Sequence, residues 1–295
     1  MASAGRDEFV RLWRPEPGSP ARELRHPAGV SALAFHPDGR LFTLSQDGQL
    51  WGWDPAVPRC LGSLPARAPL GCLAVGAGGR LIGTGGANGR IHLHDLTRGS
   101  LSQVRDADEP AVTCVAIAPD GRQLVGGGRT GPLHLWELET DVVRLLVGHQ
   151  GAVRRVLFTA GGDALFSGGA DGTAREWEAR TGAPRQAFTH RGGVRDLAVS
   201  PDGRLLATAG DDGLVQLWSR APGRHLATLR GHQGAATSVA FNATGQRLVS
   251  GGVDGTLRVW DVGGLRAVAG PEAMPASGAG APLAPAAPPV PRATP

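Results

Sequence analysis

Tryptophan returns at nearly fixed spacing along this chain, at Trp13, Trp53, Trp136, Trp177, Trp218 and Trp260. One step, from Trp53 to Trp136, is double, and His94 stands at its midpoint. The seven positions 13, 53, 94, 136, 177, 218 and 260 are therefore 40, 41, 42, 41, 41 and 42 residues apart. A period of this length constrains the fold more than any local signal. Each unit is too small to bury a core alone and must stack on its neighbours. Such an array offers an extended surface more readily than a single pocket.

The stretch from His149 to Glu178 shows what one unit contains. Val153 to Phe158 alternates as a strand, Gly161-Gly162 turns, and Ala164 to Ser167 forms a second strand. Asp171-Gly172 is a tight hairpin signal, Thr173 to Trp177 a third strand, and Ala183 to Phe188 a fourth after the Thr181-Gly182 turn. Pro37-Asp38-Gly39, Pro119-Asp120-Gly121 and Pro201-Asp202-Gly203 mark the first turn in other repeats. Asp47-Gly48, Asn88-Gly89, Asp212-Gly213 and Asp254-Gly255 mark the second. Four-stranded antiparallel sheets of this kind bury their faces by stacking radially around an axis.

Gly148-His149 and Gly231-His232 precede strand one, and Trp53-Asp54 and Trp260-Asp261 close strand three. By these motifs the chain resembles the WD40-repeat family of β-propellers over residues 1 to about 268. The resemblance implies an all-β propeller of six complete four-stranded blades after a truncated N-terminal blade, seven-bladed in a longer parent. Residues 269–295 are read as a disordered Pro/Ala-rich tail.

Four repeats hold a His, a Ser or Thr, and an Asp at fixed offsets from the Trp. They are His26, Thr43, Asp47 and Trp53; His149, Ser167, Asp171 and Trp177; His190, Thr208, Asp212 and Trp218; and His232, Ser250, Asp254 and Trp260. A Ser/His/Asp set can activate a nucleophile, but a catalytic set occurs once, not four times beside the same Trp. Buried polar groups need partners, and a chain of hydrogen bonds between turn and strands supplies them. The family resemblance makes these structural tetrads, and no catalytic residue is expected. Two repeats break the pattern and are expected to be less rigid. One keeps Thr84 but has Asn88 and Ala66 at the other positions, and His94 in place of Trp. The other has Gly126, Thr130 and Asp108. His92 and His94 share a strand face near Asp95, but no third ligand can be assigned, so no metal or other cofactor is expected.

Met1 to Trp13 aligns without gaps on Leu206 to Trp218, so Met1 falls within strand two of a blade whose first strand is missing. After Trp260, Leu265 to Ala269 is the one stretch suited to a further strand. An incomplete blade leaves an edge and an apolar face uncovered, so self-association is expected there. In the tail, Pro282-Leu283-Ala284-Pro285 has PxxP spacing but lacks a suitably placed basic residue.

Composition narrows the function. All 30 basic residues are Arg, the net charge is +4, and no basic run points to nucleic acid. No apolar run spans a membrane and no secretory leader is visible, so a cytoplasmic, intracellular location is expected. Cys60, Cys72 and Cys114 read as reduced thiols. The resemblance further implies a non-enzymatic scaffold for protein partners. The alternatives are a docking or sensor segment of a larger multi-propeller or enzyme-fused protein, such as a ciliary or signalling scaffold, and a propeller enzyme. An enzyme would show one polar cluster in the central channel outside the repeat pattern, and the sequence displays none. Partners are expected on the face that carries the residue after the first apolar position of strand one and the residue before the tight-turn Asp. There Gln46, Arg129, Arg154, Arg195, Asp211 and Thr237 form a candidate binding rim. Arg129, Arg154 and Arg195 come from consecutive blades and suit an acidic or phosphorylated peptide.

Overall fold

The computed structural model describes residues 2–4, 7–12, 22–57, 59–65, 70–98 and 100–268. Arg6, Trp13, Ala66 and the tail at 269–295, with its PxxP segment, lie outside the described residues. Seven antiparallel sheets follow one another along the chain as the blades of a propeller. The first comprises β1 (Ala2–Ala4), β2 (Phe9–Leu12) and β3 (Arg22–Arg25). The second comprises β4 (Val30–Phe35), β5 (Leu41–Ser45), β6 (Gln49–Asp54) and β7 (Arg59–Pro65). The third comprises β8 (Leu70–Val75), β9 (Leu81–Gly86), β10 (Arg90–Asp95) and β11 (Ser100–Asp106). The fourth comprises β12 (Val112–Ile117), β13 (Gln123–Gly128), β14 (Leu133–Glu137) and β15 (Val143–Leu146). The fifth comprises β16 (Val153–Phe158), β17 (Ala164–Gly169), β18 (Thr173–Glu178) and β19 (Pro184–Thr189). The sixth comprises β20 (Val194–Val199), β21 (Leu205–Gly210), β22 (Val215–Ser219) and β23 (His225–Leu229). The seventh comprises β24 (Ala236–Phe241), β25 (Arg247–Gly252) and β26 (Leu257–Asp261).

The first sheet thus has the second to fourth strands of the repeat, as the gapless alignment of Met1 to Trp13 expects. The seventh has three strands among the described residues. Where the sequence suggests a strand from Leu265 onward, a short helix, α1 (Gly263–Val268), follows instead. Leu265 packs from it against the last apolar cluster.

Among the described residues six apolar clusters hold the blades together, and each joins one sheet to the next. Val10 and Leu24 meet Leu41 and Trp53 between the first two sheets. Phe42 and Leu50 meet Leu73 and Ile82, and Ile91 and Leu93 meet Leu124 and Trp136. Leu133 and Leu135 meet Val156 and Trp177, Phe166 and Phe188 meet Leu206 and Trp218, and Val215 and Leu217 meet Val239 and Leu248. In each, apolar side chains at alternate strand positions point to one face, as the two-residue period demands. No such cluster joins the seventh sheet to the first among the described residues. Leu257 and Val259 are the counterparts of Val215 and Leu217. The latter pair is fully buried, whereas Leu257 is 58% and Val259 63% exposed.

Strand one carries a bulge in all six sheets that possess it. The register shifts between Val30 and Ala32, Leu70 and Cys72, Val112 and Cys114, Val153 and Arg155, Val194 and Asp196, and Ala236 and Ser238. The skipped residue (Ser31, Gly71, Thr113, Arg154, Arg195 or Thr237) leaves the ladder. A bulge re-aims side chains in this way, so the second position goes to the rim and the third turns toward the next inner strand.

Candidate interaction surface

The four candidate tetrads differ in how far they close. Trp177 Nε1–H donates to Ser167 Oγ (2.8 Å), which lies 2.8 Å from His149 Nε2, while His149 Nδ1 lies 3.0 Å from Asp171. In the seventh sheet Trp260 Nε1–H donates to Ser250 Oγ (2.9 Å), with His232 Nε2 at 2.8 Å and Asp254 at 3.2 Å from Nδ1. Both complete chains use Ser, and both repeats with Thr stop short. Trp53 and His26 meet Thr43 at 2.9 and 3.0 Å, but buried His26 Nδ1 makes no hydrogen bond to Asp47. Trp218 donates to Thr208 at 3.1 Å, but His190 Nε2 bonds to nothing. His190 Nδ1 comes within 3.3 Å of Asp212 without hydrogen-bond geometry. The second-sheet chain breaks between His26 and Asp47 and the sixth-sheet chain at His190, so Thr does not by itself keep the hydroxyl from meeting both rings. Burial pushes the His149 imidazole below its ordinary value, although Asp171 opposes this.

The two irregular repeats are cross-linked by other means. His94 takes the Trp place and its Nε2 lies 3.3 Å from Thr84 Oγ1. Burial, with His92 adding to it, lowers the His94 pKa to about 4. Asp95 is occupied by Arg80 at 2.9 Å and by the Thr97 N–H and hydroxyl, so His94 and Asp95 each have structural partners of their own. In the fourth sheet Gly126 leaves room for Ile91, since a Cβ there would lie 2.4 Å from Ile91 Cδ1. Buried Glu109, one residue beyond Asp108, accepts from the Thr130 hydroxyl and from its N–H (3.2 Å). Glu109 thereby ties the same two turns that the His–Asp link ties elsewhere. The repeat offset pointed to its neighbour.

On the rim, Arg154 and Arg195 converge on one carboxylate. Arg154 Nη1 lies 2.8 Å from Asp211 Oδ2 and Arg195 Nε 2.5 Å from Asp211 Oδ1. Burial works against ionisation of Asp211, but hydrogen bonds from the two guanidiniums hold its carboxyl below the ordinary range. Two positive charges share one negative, which leaves one in excess. Arg129 stands exposed outside this cluster, as do Gln46 and Thr237 on other blades. Thr237 donates to Gly251 O at 3.2 Å. Arg154 and Arg195 are thus braced on Asp211 while their side chains remain 33% and 40% exposed.

Inside the ring, the third position of strand one links four of the six inner strands to the next. Cys72 Sγ approaches Val112 O (3.9 Å) and Cys114 Sγ approaches Val153 O (3.6 Å). Arg155 Nε lies 3.1 Å from Asp196 Oδ1, and Asp196 Oδ2 accepts from the Val239 N–H at 2.9 Å. A singular polar pair thus does occur in the channel, contrary to the expectation from sequence. The positions vary from repeat to repeat, so no offset rule picks them out, and only the bulge reveals where they point. Burial raises the thiols of Cys72 and Cys114, the latter to about 12, which suppresses the nucleophilic thiolate. Burial also raises the Asp196 carboxyl, against the pull of Arg155.

The family model described as WD domain, G-beta repeat matches residues 18–54, 140–178, 182–219 and 223–261, together just over half of the chain. It passes over the two repeats that end at His94 and Trp136, where the tetrad is lost. Compared with curated proteins, the chain matches none. No helix among the described residues is long and apolar enough to cross a membrane.

Proposed function

Since the chain belongs to the WD domain, G-beta repeat family of β-propellers, we propose that it is a non-enzymatic scaffold for protein partners in a cytoplasmic complex. The observation that carries this is the pairing of Arg154 and Arg195 on Asp211; Arg129 of the preceding blade is exposed as well. Pairs this exposed contribute little to stability, about 0–1 kcal/mol. They do fix the direction of two guanidinium groups on the rim and leave a net positive charge there. Oriented guanidiniums take carboxylate or phosphate oxygens bidentately. An acidic or phosphorylated segment of a partner fits this sector.

Fluorescence polarisation with matched phosphorylated and unphosphorylated acidic peptides tests the site. Binding that weakens with salt and disappears in the Arg129→Glu, Arg154→Glu, Arg195→Glu triple variant is the expected result. Equal binding by the variant removes the sector from consideration.

A second contact is favoured by the bare face of the seventh sheet. Leu257 and Val259 lie exposed where the preceding sheet buries their counterparts, and β26 pairs on one side alone among the described residues. Self-association through this face follows from the same burial that joins the other blades. Light scattering across a concentration series should show growth in mass, abolished by Leu257→Asp with Val259→Asp. A monodisperse monomer at high concentration contradicts it.

A further inference from the structure

The Arg155–Asp196 pair is not part of the blade staple and does not sit on the rim. Its counterparts in other sheets are Ala32, Cys72, Cys114 and Ser238, all small. A full guanidinium at this position therefore needs a reason beyond packing. Arg155 approaches Asp196 through Nε, and Nη1 and Nη2 make no hydrogen bond with any described residue. Asp196 has a second donor of its own in the Val239 N–H. The side chain is 48% exposed and borders a cavity of about 660 Å³ against the inner strands of the second to fifth sheets. Leu33, Phe35, Val75, Ile117, Leu157 and Phe158 line its walls. Pro37 and Pro119 of the first turns also line it, at the end of strand one away from the Arg rim.

This combination selects a ligand by charge and shape. Cavities of a few hundred cubic ångströms with apolar walls and one placed polar group take small organic molecules. The outer edge of a guanidinium offers two parallel N–H donors, which match the two oxygens of a carboxylate. A phosphate dianion fits less well, because the Asp196 carboxylate is close and a single guanidinium stands against two charges.

We propose that the central channel is a binding site for a small organic monocarboxylate with an apolar body, its carboxylate on the Nη1/Nη2 edge of Arg155 and its body against Phe35, Ile117 and Phe158. The site is independent of the rim and of the seam. The cavity is open at its mouth, so chain length is tolerated, whereas the head group is not.

Isothermal titration with octanoate and with 1-octanol tests this on the whole chain. The acid should bind at least about tenfold more tightly than the alcohol, as a charge-assisted bidentate contact implies. Arg155→Gln alone leaves a buried carboxylate without its cation, so the informative variant is Arg155→Gln with Asp196→Asn, checked for an unchanged melting curve. It should bind both probes alike, while Asp196→Asn alone keeps the preference for the acid. Failure of octanoate to bind at millimolar concentration overturns the proposal. So does equal affinity of the native chain for acid and alcohol, or octanoate binding by the double variant at native strength.

Discussion

Ser167 stands between two ring nitrogens, Trp177 Nε1 and His149 Nε2, each 2.8 Å from its hydroxyl. Ser167→Ala strands both, and each buried group left without a partner costs about 1–3 kcal/mol. Thr208→Ala strands Trp218 alone, because His190 makes no bond to Thr208. Urea unfolding should therefore show the larger loss for Ser167→Ala. An equal or larger loss for Thr208→Ala contradicts the difference between the Ser and Thr chains. His94 sets a pH dependence. Its pKa falls from 6.5 to about 4 on burial, so the unfolded chain binds the extra proton between these values. The neutral buried ring contributes fully above pH 6.5, and stability is lost as pH falls toward 4. The shift corresponds to about 3 kcal/mol at 1.36 kcal/mol per unit. His26, His134, His149 and His190 shift in the same direction, so a slope remains without it. His94→Trp should flatten that slope between pH 6.5 and 4 when urea midpoints are followed across pH, and an unchanged slope refutes the assignment. The His, Ser, Thr and Trp positions are legible in the sequence because four repeats present them at one offset. Glu109 is not, since it occurs once and its chemistry depends on which turn residue faces Thr130.

At the level of elements, strand order and turn positions follow from the alternation of apolar residues and from Asp-Gly and Pro-Asp-Gly, which can be read locally. The bulge in strand one cannot, because it arises from pairing between β4 and β5 and between their counterparts. That bulge decides that Arg154 goes to the rim and Arg155 to the channel, so the Arg155–Asp196 pair stays hidden until the register is known. The fate of the last strands also depends on packing. Leu257 and Val259 have the apolar character of a buried strand, and nothing in their own sequence says that no neighbour covers them. Their exposure predicts a contrast. Leu217→Ala should cost about 2–4 kcal/mol, as for other fully buried Leu side chains. Val259→Ala should cost well under about 1 kcal/mol, since little transfer from water is involved. Comparable losses in thermal melts of the two variants mean that the seventh face is covered in solution.

Across the whole molecule, stability comes from six similar apolar interfaces in series, so each blade depends on its neighbours. The ends of the series are its weakest part. Amide exchange should be slowest in β17 and β21, whose residues are all buried, and fastest in β26. Uniform protection across the sheets argues against an open seam. The same serial architecture leaves the rim free to vary without loss of fold, which is why an Arg cluster can be built there at little cost. That cluster is the partner surface we propose. Affinity purification of the full chain followed by mass spectrometry, beside the Arg129→Glu, Arg154→Glu, Arg195→Glu variant with an unchanged urea midpoint, tests it most directly. The variant is predicted to lose the partners that the native chain retains at low salt. An identical set of partners, held with the same salt resistance, contradicts the account.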